Sequence, residues 1–417
     1  MKKYTTLNLI TVFIVSFMAW IYCIAVAVLG LIYNAYPGQD NISVLIATLP
    51  TVFTMIAAFA ATVLFRIMPR KWLTIASMAV ALVAGIAILA MDMPIWGVVI
   101  CSAILGIPAG IIPGANASVL PMIAPEKLKD KVAGIHTGLM MLGMAAFTFL
   151  AGVSAGDNFR SAYKVISVLI VAIALSIFFY PDVDRDMKMG LIKNPEAEMN
   201  IVTSGSSDHR AKLKMPPVTI IAPLVYFVGA VFWNAWYMNY SDLVINDLNI
   251  GGAALAGTIG SLGSVAGCIA GFFVAFWIKA TKSWSMPLAF IITGICFMVP
   301  VMIPNTGGCY IAGFANQFFN IFIVSGLTTY GSLGTEGTRY ATICMPLISV
   351  AEGGGVFLCG YLLPVFGNIF GGGPRANLQA ACIIMVILGI ITVFLMRPIH
   401  KQVYGGGKDR ETQTNIS

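Results

Sequence analysis

Charge is what this sequence has least of: Asp, Glu, Lys and Arg make up 10% of its 417 residues, against about 25% in soluble domains. So few charges cannot cover a water-facing surface, which excludes an ordinary soluble domain. Histidine is as scarce, and His136, His209 and His400 are scattered along the chain, so no metal site is suggested. The 8 cysteines, Cys23, Cys101, Cys268, Cys296, Cys309, Cys344, Cys359 and Cys382, include no CxxC pair and read as small buried hydrophobes. No nucleophile with a base, no paired carboxylates and no metal cluster can be placed on one site, so neither an enzyme nor a cofactor is expected. Glycines at 257, 260, 263, 267 and 271 do not follow a strand, which removes a nucleotide-binding loop and leaves a small-residue packing surface.

What fills the chain is apolar, 59% of all residues. The apolar segments recur at lengths near the roughly 20 residues that cross a hydrocarbon core as a helix. A backbone in lipid must satisfy its own hydrogen bonds, so the spans are helical and the class is an all-α membrane protein. Spans are expected at about residues 7–33, 43–65, 72–91, 95–121, 132–153 and 161–180, and again at about 217–240, 252–277, 285–303, 309–330, 340–363 and 376–396. The first is too long for a signal-peptide core and has no convincing cleavage site after it, so it counts as a span.

Between the two sets of six lies the one long polar run, from Pro181 to Met215. Its charge, Ser and Gly read as a mostly disordered cytoplasmic linker, and Pro216 and Pro217 suit the start of the next helix. The organisation is therefore an amino-terminal six-helix bundle (1–180), a cytoplasmic linker (181–216), a carboxy-terminal six-helix bundle (217–396) and a cytoplasmic tail (397–417). With both termini inside, all of the 24 Lys and Arg except Arg160, Lys164 and Arg375 fall on the cytoplasmic side, as the positive-inside rule requires. The net charge of +7 is thereby explained without a nucleic-acid partner.

The halves carry a weak repeat. FRIMPRKW (65–72) and IKATKSW (278–284) each follow the second span of their half and set cations before a Trp, while GDNFRSAY (156–163) and GGPRANL (372–378) each put an Arg just before the sixth span. Two related bundles joined by a linker are the pattern of a rocking transporter. The six-plus-six layout, the long central loop and ILGIPAGIIPGANASVLPMIAPEKLKDKVAG in and after the fourth span resemble the major facilitator superfamily. The departure lies in the loop between spans 2 and 3, where Ala61 and Phe65 occupy the places of the family's first Gly and its Asp, although Arg66, Arg70 and Lys71 remain. The resemblance implies two pseudo-symmetric bundles of twelve transmembrane helices, with spans 1, 4, 7 and 10 lining a central cavity.

One ionisable residue stands inside a span: Glu352, in SVAEGGGVFLCG. A carboxylate there costs several kcal/mol unless it is paired or protonated. It reads either as a proton-coupling group or as a neutral hydrogen-bonding Glu beside glycines that serve only close packing. On the spans implied to line the cavity, the candidate substrate-binding residues are Trp20, Tyr22, Asn116, Trp233, Asn234, Tyr237, Asn316, Gln317 and Asn320. Their rings could instead form an interfacial belt, and their amides could be interhelical glue. The resemblance also implies a gate, with Arg66, Arg70 and Lys71 facing Glu336 before span 11 and, by the pseudo-twofold, Lys279 and Lys282 facing Asp130.

The expected function is secondary active transport of a small organic solute by alternating access, as a proton-coupled symporter. A facilitative uniporter or exchanger is the alternative, and a transporter-like solute sensor is the alternative of another class. A monomer in the lipid bilayer of the cell (inner) membrane is expected.

Overall fold

The computed structural model describes residues 4–125, 128, 131–191, 215–335 and 340–404. Among them there is no strand, and eleven helical runs are long and apolar enough to cross a membrane. In chain order the long helices are α1 (Thr6–Met18, continued by shorter pieces to Ala35), α2 (Asp40–Ile67), α3 (Arg70–Ala90), α4 (Ile95–Ile104 and Ile107–Ile123) and α5 (Val132–Ala155). They continue as α6 (Val168–Phe179, led in by a 3₁₀ turn at Phe159–Ser167), α7 (Val218–Trp233 and Ala235–Asp242), α8 (Ala253–Thr281), α9 (Ser285–Met302), α10 (Thr306–Thr335), α11 (Ala341–Gly367) and α12 (Gly373–Tyr404). One of the eleven runs, Ala253–Met302, is 50 residues long, about 75 Å if it were straight. It is folded into α8 and α9 at Lys282–Trp284, where Lys282 takes φ +51°.

Local chemistry sets the ends. Asn8 N–H donates to Thr5 Oγ1 at 3.3 Å while Asn8 Oδ1 accepts from Thr5 N–H at 2.9 Å, a reciprocal cap that starts α1. Pro217 precedes α7, as the sequence led us to expect. Between α11 and α12, Gly371, Gly372 and Gly373 all take positive φ, which only glycine adopts without strain. Large apolar side chains such as Phe272 (81% exposed), Phe178 (75%) and Phe394 (72%) stand on the outside, a surface suited to hydrocarbon rather than water.

The start of the polar run is ordered: Val183–Lys188 form a helix, capped by Asp182 Oδ1 accepting from Arg185 N–H at 3.2 Å. It is held because Asp184 pairs with the Arg70 guanidinium and accepts from Arg70 N–H at 2.7 Å, while Tyr4 donates to Asp186 at 2.8 Å. α12 runs on to Tyr404, past the expected start of the tail at 397. The rest of the linker (192–214) and tail (405–417) lie outside the described residues.

The end of the molecule away from the termini is tightly packed. There Ser241 Oγ donates to Ala27 O (2.9 Å), Gly30 N–H donates to Ser241 Oγ (3.2 Å) and Asn246 Nδ2 donates to Gly30 O (3.1 Å), tying the first helix to the seventh. At the same end α5 meets α8 so closely that a Cβ on Gly152 would lie 2.4 Å from Ala253 O. Nearer the terminal end, a side chain at Gly134 of α5 or Gly271 of α8 would meet open space.

Candidate functional site

α1 and α7 both break at mid-depth. After Met18 the chain passes Trp20 at φ −103°, ψ 37° into a 3₁₀ turn at Ile21–Cys23; α7 breaks at Asn234, at φ −78°, ψ 0°. Asn234 caps its own break by donating from Nδ2 to Ala230 O at 2.8 Å. In an unbroken helix residues two apart point to opposite sides, yet Trp20 and Tyr22 both reach one cavity because the helix is interrupted between them.

That cavity, about 150 Å³, is lined from α1 by Trp20, Tyr22, Cys23 and Val26, from α7 by Trp233, Asn234, Tyr237 and Met238, from α10 by Gln317 and Asn320, and from α11 by Glu352. Thr51 of α2, Met141 and Met144 of α5 and Ser264 of α8 complete much of the wall. Tyr237 and Ser264 hydroxyls lie 3.1 Å apart. Glu352 is exposed to the cavity and lies close to Tyr226. Tyr226 in turn meets Trp233 edge to face, with ring centroids 4.9 Å apart. The glycines after Glu352 have a packing role as well: a Cβ on Gly355 would fall 2.4 Å from Ala230 Cβ. Their lack of side chains is what lets α11 bring Glu352 up to the break in α7.

Seven of the nine expected binding residues therefore share this wall with Glu352, and two do not. Asn116 is fully buried inside the first half, donating to Val12 O (3.1 Å) and Ser16 Oγ (2.9 Å) and accepting from the Tyr180 hydroxyl (2.8 Å). α4 contributes nothing to the cavity wall because its glycines press it onto α2, where a Cβ at Gly106 would sit 2.0 Å from Pro50 O. Asn316 is also fully buried and does not line the cavity. His136 joins the Asn116 group, its Nδ1 2.7 Å from Ser16 Oγ. The glycines of α8 face three neighbours rather than one, Gly257 meeting α5, Gly260 meeting Tyr240 of α7 as well as α5, and Gly263 and Gly267 meeting α10.

Of the expected gate, Asp130 and Glu336 lie outside the described residues. Arg70 pairs with Asp184, and Lys71 Nζ donates to Ile177 O at 2.9 Å. Arg66 borders a groove shared with Asp184, whereas Lys279 and Lys282 border another with His400. Both expected outer arginines pair within their own half: Arg160 with Asp92, and Arg375 with Asp247 through two bonds of 2.9 Å.

Sequence reasoning missed Tyr226, Cys23, Thr51, Ser264 and the methionines. Tyr226 had a usable signal, since it lies seven residues before Trp233 and therefore on its face. The others are ordinary span residues with no distinguishing pattern.

A search of curated protein sequences returns no match. Among solved structures, the chain is similar to a nucleoside transporter, NupG (TM-score 0.67, 11% identity, 94% of this chain and 100% of that one). It is similar also to a peptide transporter, POT, in complex with alafosfalin (0.66, 13%, 95% and 95%) and to a POT family transporter in complex with 5-aminolevulinic acid (0.65, 13%, 94% and 96%). The sequence model of the Major Facilitator Superfamily matches residues 9–341, so the chain belongs to that superfamily of multi-pass transporters and is not an enzyme.

Proposed function

We propose that this chain is a secondary active transporter of a small organic solute, working by alternating access and coupled to protons at Glu352. Counting α8 and α9 separately gives twelve crossings, six on each side of the linker, which supports two bundles at 1–180 and 217–396. If the cation-rich end carrying both termini faces the cytoplasm, the tightly packed end faces outward. The observation that carries the reading is Glu352 itself, an acid that opens onto a cavity between the halves rather than being sealed in helix packing. An acid in that place is reachable from one side at a time and can load or release a proton as access alternates.

The charge of the solute sets the direction of coupling. Symport, the form expected from the sequence, follows for a neutral solute that binds beside protonated Glu352; a cation that takes the proton's place gives exchange. In either case Glu352→Gln should abolish accumulation driven by a pH gradient in proteoliposomes while leaving downhill flux, because Gln mimics the protonated acid but cannot release a proton. Undiminished accumulation by the Gln variant would remove Glu352 from the coupling. An uptake screen over sugars, amino acids, carboxylates and aromatic solutes, with and without the gradient, supplies the substrate for that assay.

A further inference from the structure

We infer that the solute carries a positive charge, an ammonium group on a small organic body, and that it competes with the proton for Glu352; this rests on the transport reading above and names its substrate class. The first observation is the charge of the wall. Among the described residues Glu352 is the one acid lining the cavity, and no Lys, Arg or His lines it. An anionic solute would meet a carboxylate and no counter-charge.

The second observation is the supply of acceptors. Asn234 spends one of its two amide N–H donors on Ala230 O, and Asn234 and Glu352 bring a carbonyl oxygen and a carboxylate to the same cavity. An acceptor shut away from water is satisfied by a donor. An ammonium group supplies three donors and the opposing charge. The third observation is the rings: Trp20, Tyr22, Trp233 and Tyr237 line the same space, and ring faces attract cations within about 6 Å.

The titratable groups that face Glu352 are tyrosines and a thiol, Tyr22 and Cys23 from α1 and Tyr226 and Tyr237 from α7. None brings a second positive charge to the chamber at neutral pH. One positive charge therefore sits on the carboxylate at a time, either proton or ammonium, and a cycle that carries the proton one way returns the solute the other.

The test uses the purified full-length chain and three probes of similar size: phenethylammonium, 3-phenylpropan-1-ol and 3-phenylpropionate. Thermal stabilisation and tryptophan quenching at pH 5 to 9 should show phenethylammonium binding at least about tenfold more tightly than the alcohol, with no binding of the carboxylate. Its affinity should fall as pH falls into the range where Glu352 takes up its proton, and Glu352→Gln should abolish its advantage over the alcohol. Equal or tighter binding of the alcohol or carboxylate, ammonium binding that survives Glu352→Gln, or no ammonium binding at all overturns the inference. Flux of each probe into proteoliposomes separates the two readings. If the alcohol binds and accumulates with protons, the cation inference falls and transport stands; if phenethylammonium binds but never crosses, the transport reading falls.

Discussion

Gly152 is where one missing methyl group should decide which end of the molecule is open. A Cβ there would lie 2.4 Å from Ala253 O and 2.8 Å from Gly257 Cα. Carbon and oxygen approach to about 3.3 Å, so Gly152→Ala falls short by about 1 Å, and both obstacles are backbone atoms that cannot swing away. Overpacking of this kind costs about 1–3 kcal/mol, charged only to the conformer in which α5 and α8 touch at this end. The gain in helix propensity, about 1 kcal/mol, is common to both conformers and cancels. At about 1.4 kcal/mol per tenfold, the population closed at this end should fall roughly fivefold to 150-fold relative to its alternative. The assay is maleimide labelling in a background with the native cysteines replaced. Ser241→Cys reports the end away from the termini, where the native side chain is 1% exposed, and Gly271→Cys reports the end where a side chain meets open space. Gly152→Ala should speed labelling at 241 and slow it at 271, whereas Gly134→Ala, in open space, should do neither. Unchanged rates with Gly152→Ala would mean that the α5–α8 contact does not alternate.

Asn116→Ala should lower the melting temperature without altering solute affinity, because it strands the buried Tyr180 hydroxyl, at about 1–3 kcal/mol; a loss of affinity at unchanged stability would return Asn116 to the binding site. Trp233→Ala and Asn234→Ala should each weaken substrate affinity more than expression, and wild-type apparent affinity in both would place the site elsewhere. Glu336→Lys should shift labelling toward the form open at the terminal end, with Arg70→Glu partly restoring the balance, and identical accessibility in all three proteins would rule out that pairing.

The fold was legible because lipid leaves few choices. A span such as Ala253–Thr281 must be a helix whatever its neighbours do, so composition alone located nearly every crossing. What escaped were elements whose extent depends on tertiary partners. Val183–Lys188 looks like solvated linker, and its order comes from Arg70 and Tyr4, which are more than a hundred residues away in sequence. Nothing within that segment announces them.

The candidate site was legible by residue type and hidden in its geometry, and the two helix breaks explain why. The sequence around Trp20, FMAWIYC, contains no Pro or Gly, and kinks are normally read from those residues. Near Asn234 only the asparagine itself hints at a stop. A continuous α1 would have sent Trp20 and Tyr22 to different neighbours, and a continuous α7 would have kept the backbone at Asn234 in the regular helical ladder. The breaks bring Trp20, Tyr22, Trp233 and Asn234 onto a common wall with Glu352. They also shorten the rigid length of both helices just where the bonds from Ala27 and Gly30 to Ser241 and Asn246 tie them together. A tie at one end and a break below it is the arrangement in which solute bound at the break can bias which end stays closed.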